Sequence, residues 1–142
     1  MKAKYFAKRD KFPINNNDFV PVLLSFEDYV RLRRLPLSDA LNDELDRAIV
    51  VSVEQVPEDV VTMYARCAYR DGQSGVVREV ELVYPDEADS ALGRISVLSP
   101  VGSALLGLRA GQEIAWDFPD GSRRSLKVER VRRSASGFAE RF

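Results

Sequence analysis

Four acids, Asp39, Asp43, Glu44 and Asp46, fall within eight residues and form the densest carboxylate cluster in the chain. Two carboxylates converging on one point, with water completing the octahedron, can hold Mg²⁺. Asp39 and Asp43 would share a face if the segment is helical. Acids near a helix N-terminus also interact favourably with its dipole, and that simpler role accounts for them. The chain has no histidine and one cysteine, Cys67. These counts exclude Ser-His and Cys-His nucleophile pairs, His-ligated metals, zinc clusters and an intramolecular disulfide. A lone cysteine suits a reducing cytoplasm. Cys67 alternates with Met63, Ala65 and Tyr69, so it reads as a core thiol. Gly102, Gly107 and Gly111 lack the Gly-x-x-x-x-Gly-Lys-Ser/Thr spacing of a phosphate loop and read as turn and cap glycines. Tyr84, Trp116 and Phe118 fall on apolar strand faces and read as core aromatics, not a platform for bases. Neither a cofactor nor a resident metal is expected.

The elements that position these residues follow from periodicity and caps. Ser25 is an N-cap candidate with Asp28 three residues on, a capping box with Asp in place of Glu. Phe26, Tyr29 and Val30 give that helix an apolar face, and Pro36 stops it by Leu35. Ser38 caps a second helix, in which Leu41, Leu45, Ala48 and Ile49 recur at helical spacing. The short link between the helices predicts an antiparallel hairpin with arms of roughly 15 Å. After Pro57 the period changes to two. Residues 61–69 read as a strand, with Val61, Met63, Ala65, Cys67 and Tyr69 on one face. Asp71-Gly-Gln-Ser-Gly75 is a turn, and 76–84 alternates again, with Val80, Leu82 and Tyr84 opposite Glu79 and Glu81. A third strand over 94–98 ends at Ser99-Pro100, and one or two helical turns close at Gly107. A fourth strand carries Ile114, Trp116 and Phe118 inward, Phe118-Pro-Asp-Gly121 turns, and a fifth runs through Leu126 and Val128.

The 142 residues fit one α+β domain: a short N-terminal antiparallel helical hairpin, then a twisted antiparallel β-sheet crossed by one short helix. The divisions are a basic, weakly ordered tail over 1–18, the hairpin over 19–56, the sheet domain over 57–133 and a flexible C-terminus over 134–142. No apolar run approaches the ~20 residues of a membrane span, and no secretory leader is expected. Net charge is −1 but uneven: residues 1–18 hold five Lys/Arg against two Asp, and 121–142 hold seven against two Glu. The stretch between carries nine basic and eighteen acidic residues. Basic ends on an acidic body serve solubility, and they also admit weak nucleic-acid contact through Arg123, Arg124, Lys127, Arg130, Arg132 and Arg133. The mixed faces of that strand suit a solvated sheet edge guarded by charge.

The run Ile95 to Gly121 closely resembles the C-terminal domain of the bacterial GreA/GreB transcript cleavage factors. The matching motifs are Ser99-Pro100, Ala104-Leu105-Leu106-Gly107, Gly111-Gln112 and Pro119-Asp120-Gly121, with Val83-Tyr84-Pro85-Asp86 upstream. The runs A-L-N-D-E-L-D-R-A and V-P-E-D-V-V-T-M extend the likeness over about 20–132, to small Gre-related regulators of nucleoside diphosphate kinase. The resemblance implies an FKBP-like sheet behind a coiled-coil-like hairpin. It also implies action on RNA polymerase, with the C-terminal domain on the rim of the secondary channel; a cytoplasmic monomer is expected. Carried over, the rim contact is Ser99 and Pro100, supported by Ala104 and Leu105. Position 98 is Leu, where Gre proteins often place a polar or acidic residue. In Gre factors a long hairpin delivers Mg²⁺ from an acidic tip; here the tip offers Arg33, Arg34 and, past the turn, only Asp39. The expectation is therefore a non-catalytic regulator of transcription elongation that competes with Gre-type factors and touches nucleoside diphosphate kinase only indirectly. The alternatives are a peptidyl-prolyl isomerase, suggested by architecture alone, and direct nucleic-acid binding.

Overall fold

The computed structural model describes residues 22–117 and 120–133. The expected tails, the side chain of Trp116 and the residues Phe118 and Pro119 lie outside that set.

Strand β1 (Leu23–Ser25) leads directly into α1 (Phe26–Arg33), and α2 (Asp39–Asp46) leads into β2 (Ile49–Val51). Both caps are serines in extended backbone: Ser25 Oγ accepts the Asp28 N–H and Ser38 Oγ accepts the Leu41 N–H, each at 3.2 Å. Each satisfies an amide that the first helical turn leaves without a partner. Helix α1 ends before Pro36, as expected. Between them, β1 and β2 run parallel, with Leu23 opposite Ile49 and Ser25 opposite Val51. The helices are therefore a crossover between two parallel strands, a closure that three-residue strands do not announce by periodicity. Arg33 reaches across to the Asn42 side chain and to the Asp46 carboxylate.

The body is a five-stranded sheet in the order β5-β4-β3-β7-β6. Its strands are β3 (Arg66–Asp71), β4 (Val77–Val83), β5 (Arg94–Ser96), β6 (Glu113–Asp117) and β7 (Arg123–Arg132). Neighbours pair antiparallel except β4 and β5, which run parallel with Leu82 opposite Ile95. The expected antiparallel sheet is thus mixed. The reason is the connection over 84–93, whose 3₁₀ turns bring the chain back to re-enter beside β4 in the same direction.

Three further expectations are corrected. The first body strand begins at Arg66 rather than residue 61, because Tyr64 takes a left-handed conformation (φ +69°) and breaks the extended run. Glu81 does not face water: it is buried between Arg66 and Arg94, at 3.5 and 3.4 Å. A buried carboxylate is tolerated when such partners are present. And β7 is an inner strand, held by β3 on one side and β6 on the other, not a charged edge.

One face of the sheet carries Cys67, Tyr69, Val80, Leu82, Ile114, Leu126 and Val128 into a core with Leu32, Leu41, Leu45, Ala104 and Leu105 from the helices. Burying a side chain of this size contributes about 1.5–3 kcal/mol. Across the other face, Arg70, Lys127, Arg130 and Arg132 are exposed. No helix among the described residues is long and apolar enough to cross a membrane.

Candidate functional site

Helix α3 (Pro100–Leu105) is set against the end of β5 by a compact group of serines. Ser99 is its N-cap: Ser99 Oγ accepts from the Gly102 N–H at 3.0 Å and donates to the Ser96 carbonyl at 2.7 Å. Ser96 Oγ accepts the Leu98 N–H, and Ser103 Oγ donates to the Val97 carbonyl. Pro100 occupies the first turn, where no amide hydrogen is required. Gly102 allows the close approach, since a Cβ there would lie 2.1 Å from the Ser96 carbonyl oxygen. The helix closes through Gly107 (φ +85°), where a side chain would also meet Val22, the residue before β1.

Ser99 and Pro100 thus form a rigid corner, with Pro100 exposed and Leu98 and Val101 half-buried beside it. Ala104 and Leu105 do not join it. Both are 0% exposed, so they hold the corner from the core and cannot touch a partner in this fold. The alternation of a six-residue helix is too short to separate those roles from sequence. Leu98 and Val101, the apolar neighbours of Pro100, are half-buried and pack against the core from the same corner.

The second expected feature is the turn between α1 and α2. Arg33 and Arg34 are exposed there, and Arg33 is engaged with Asn42 and Asp46. Asp39 opens α2 at an exposed position. Two helices of eight residues each extend about 12 Å. Among the described residues, no group of three or more carboxylate or cysteine side chains is placed to hold a metal ion.

Electrostatic perturbation concentrates elsewhere, on the contact between α1 and the body. Burial raises the Asp28 carboxyl above its ordinary 3.8, only partly opposed by the hydrogen bond from Tyr84. Burial, reinforced by the Glu87 carboxylate, pushes the Tyr64 phenol up to about 12. Tyr84 is raised as well, again chiefly by burial. The Cys67 thiol is pushed up to about 12 by burial, with Glu79 adding to it, which suits a core residue and not a nucleophile. The sequence pattern missed this cluster because its members come from three separated segments.

A mixed sheet that presents a serine-capped Ser-Pro helix, with a two-helix crossover on one side, defines the class. Residues 56–133 match the family "Transcription elongation factor, GreA/GreB, C-term", and the chain belongs to it. The chain is similar to "Regulator of nucleoside diphosphate kinase" of Escherichia coli, 49% identical over 94 residues, which is 66% of this chain and 69% of that protein. A GreA of Nitratidesulfovibrio vulgaris is 44% identical over 72 residues, 51% of this chain but only 45% of that factor. Among solved structures, a GreA/GreB elongation factor from Nitrosomonas europaea superposes with a TM-score of 0.68 at 38% identity. That match covers 80% of this chain and 99% of the other.

Proposed function

We propose that the protein is a non-catalytic regulator of transcription elongation that docks on the rim of the RNA polymerase secondary channel and competes there with Gre-type factors. The observation that carries this reading is the α1–α2 turn: it lies at the end of helices of about 12 Å and presents Arg34 and Arg33, the latter paired with Asp46 of α2, with Asp39 as the first acid after the turn. A cleavage factor must place carboxylates at the far end of a probe long enough to complete a Mg²⁺ shell deep in its partner. Cations at that point repel a metal ion. The Ser99–Pro100 corner, with Leu98 and Val101, supplies the docking surface. Any effect on nucleoside diphosphate kinase then follows from transcription, and the place of action is the cytoplasm.

Arrested elongation complexes test the reading. The protein is expected to bind core polymerase, to suppress Gre-stimulated transcript cleavage by competition, and to give no cleavage above the polymerase's own rate. Asp39→Asn is expected to change none of this. Cleavage that depends on Mg²⁺ and vanishes in Asp39→Asn would end the non-catalytic assignment, and no binding at micromolar concentration would end the docking.

A second reading, contact with nucleic acid, draws on Lys127, Arg130 and Arg132, which stand exposed on the sheet face away from the core. Affinity for an RNA oligonucleotide that falls steeply with added salt supports it.

A further inference from the structure

Five side chains from three segments meet where the helical module lies against the sheet body. Asp28 and Arg31 come from α1, Tyr64 from the segment before β3, and Tyr84 and Glu87 from the turn after β4. Tyr84, almost fully buried, donates its hydroxyl to Asp28 Oδ1 at 2.8 Å. The Arg31 guanidinium lies 3.8 Å over the Tyr84 ring, a cation–π contact. Arg31 Nη1 also donates to the Tyr64 hydroxyl at 3.2 Å, and that hydroxyl donates to Glu87 Oε1 at 2.6 Å. The two tyrosine rings meet edge to face, 5.8 Å between centroids. Helix and body are tied by every member.

Tyr64 is the informative one. Among the described residues it alone, other than glycines, has a left-handed backbone. That conformation disfavours a bulky side chain and is tolerated by Gly, Asn and Asp. A turn at this point calls for one of those residues, and core filling calls for a plain apolar ring. Neither calls for a phenol shared between a cation and a carboxylate. Strain of this kind persists where the surroundings over-determine it and where position matters.

We propose that Asp28, Arg31, Tyr64, Tyr84 and Glu87 form a latch that fixes the direction of the helical module relative to the sheet body, with Tyr64 as its central positioning residue. The two surfaces used in the proposed docking, the α1–α2 turn and the Ser99–Pro100 corner, belong to the two parts that the latch joins. The consequence for polymerase affinity rests on that docking; the latch itself is a property of the free protein.

The test places spin labels on cysteines introduced at the exposed positions Arg34 and Lys127, with buried Cys67 left unlabelled, and reads the distance distribution by pulsed electron paramagnetic resonance. Tyr64→Asn removes the bridging hydroxyl and relieves the backbone strain together. The expected result is an unchanged or raised melting temperature with a broadened distribution, the opposite of what loss of a purely structural residue gives. Glu87→Gln weakens the latch from its solvent side without disturbing the core, and should broaden the distribution less. If the docking orientation falls to about a tenth of the population, affinity for core polymerase falls about tenfold. Distributions as narrow as the parent's in both variants overturn the latch, as does a Tyr64→Asn protein that is destabilised yet equally narrow. Broadened distributions in a protein whose parent does not bind polymerase leave the latch standing and remove the docking.

Discussion

Replacing Gly102 by alanine should destabilise this protein, although the same change inside most helices does the reverse. Gly102 is the third residue of α3, and alanine there would ordinarily gain about 1 kcal/mol in helix propensity. The added Cβ would instead lie 2.1 Å from the Ser96 carbonyl oxygen and 3.0 Å from Ser99 Oγ. The struck atom is backbone in β5 and already accepts from both the Ser99 hydroxyl and the Ser99 amide, so it cannot swing aside. The helix must move off the strand. Overpacking of this kind costs roughly 1–3 kcal/mol. Weakening the Ser99 cap adds about 1 kcal/mol. After the propensity gain, a net loss of about 1–3 kcal/mol remains, or a melting temperature lower by roughly 3–12 °C for a chain of this size. Urea unfolding followed by far-ultraviolet circular dichroism measures it. A Gly102→Ala protein as stable as the parent, or more so, would refute the close approach of α3 to β5 and with it the rigid corner.

Three further outcomes are expected. Ser99→Ala, tested by the same unfolding assay, should cost about 1 kcal/mol by leaving the Gly102 amide uncapped; no loss would mean the cap is not formed. Leu105→Ala empties a fully buried position and should cost roughly 2–5 kcal/mol, with partner binding lost only in step with unfolding; reduced binding in a fully stable variant would return Leu105 to the surface. Asp28→Asn tests the buried carboxyl through pH: its folded value is raised, so the folded state holds the extra proton between 3.8 and that raised value. Stability from Asp28 is therefore present below 3.8 and is lost as pH rises through the folded value. The parent should lose stability relative to Asp28→Asn across that window in urea titrations, and a relative gain would show that the hydrogen bond from Tyr84 outweighs desolvation.

The parts of the fold that sequence revealed are those set by neighbours in the chain. Ser25 and Ser38 stand before apolar periodic runs and cap as expected, and the Asp71–Gly75 turn forms with Gly75 at positive φ. The parts it concealed depend on distant partners. Glu81 alternates with apolar residues and so reads as outward; its burial requires Arg66 and Arg94, which fold in from two other strands. The direction of β5 is decided by how the 3₁₀ turns redirect the chain, and the pairing of β1 with β2 joins segments too short to carry a period. In the candidate site, the Ser-Pro motif marked where a strand ends and a capped helix begins, and the structure has Ser99 as the cap and Pro100 in the first turn. The motif grouped Ala104 and Leu105 with Ser99 and Pro100 as support, and their full burial could not be read from it because a motif records which residues recur together and not which way each side chain faces.

The base of the helical module is closed by bonds in which the helix turn takes no part. Leu23 to Ser25 pair with Ile49 to Val51, and Val22 seats against Gly107 of the body. The turn between Arg33 and Asp39 takes no part in that ladder, though its Leu35 and Leu37 pack against the core. Reach is accordingly set by helix length: a matched turn added to each helix would move the tip by about 5.4 Å and leave the strand ladder and the corner as they are, while lifting Leu35 and Leu37 from the core they now pack against. A short-armed occupant and a long-armed catalyst can then differ by one paired insertion, and grafting such an arm onto this base would show whether the distance travelled, rather than the place of attachment, divides the two behaviours.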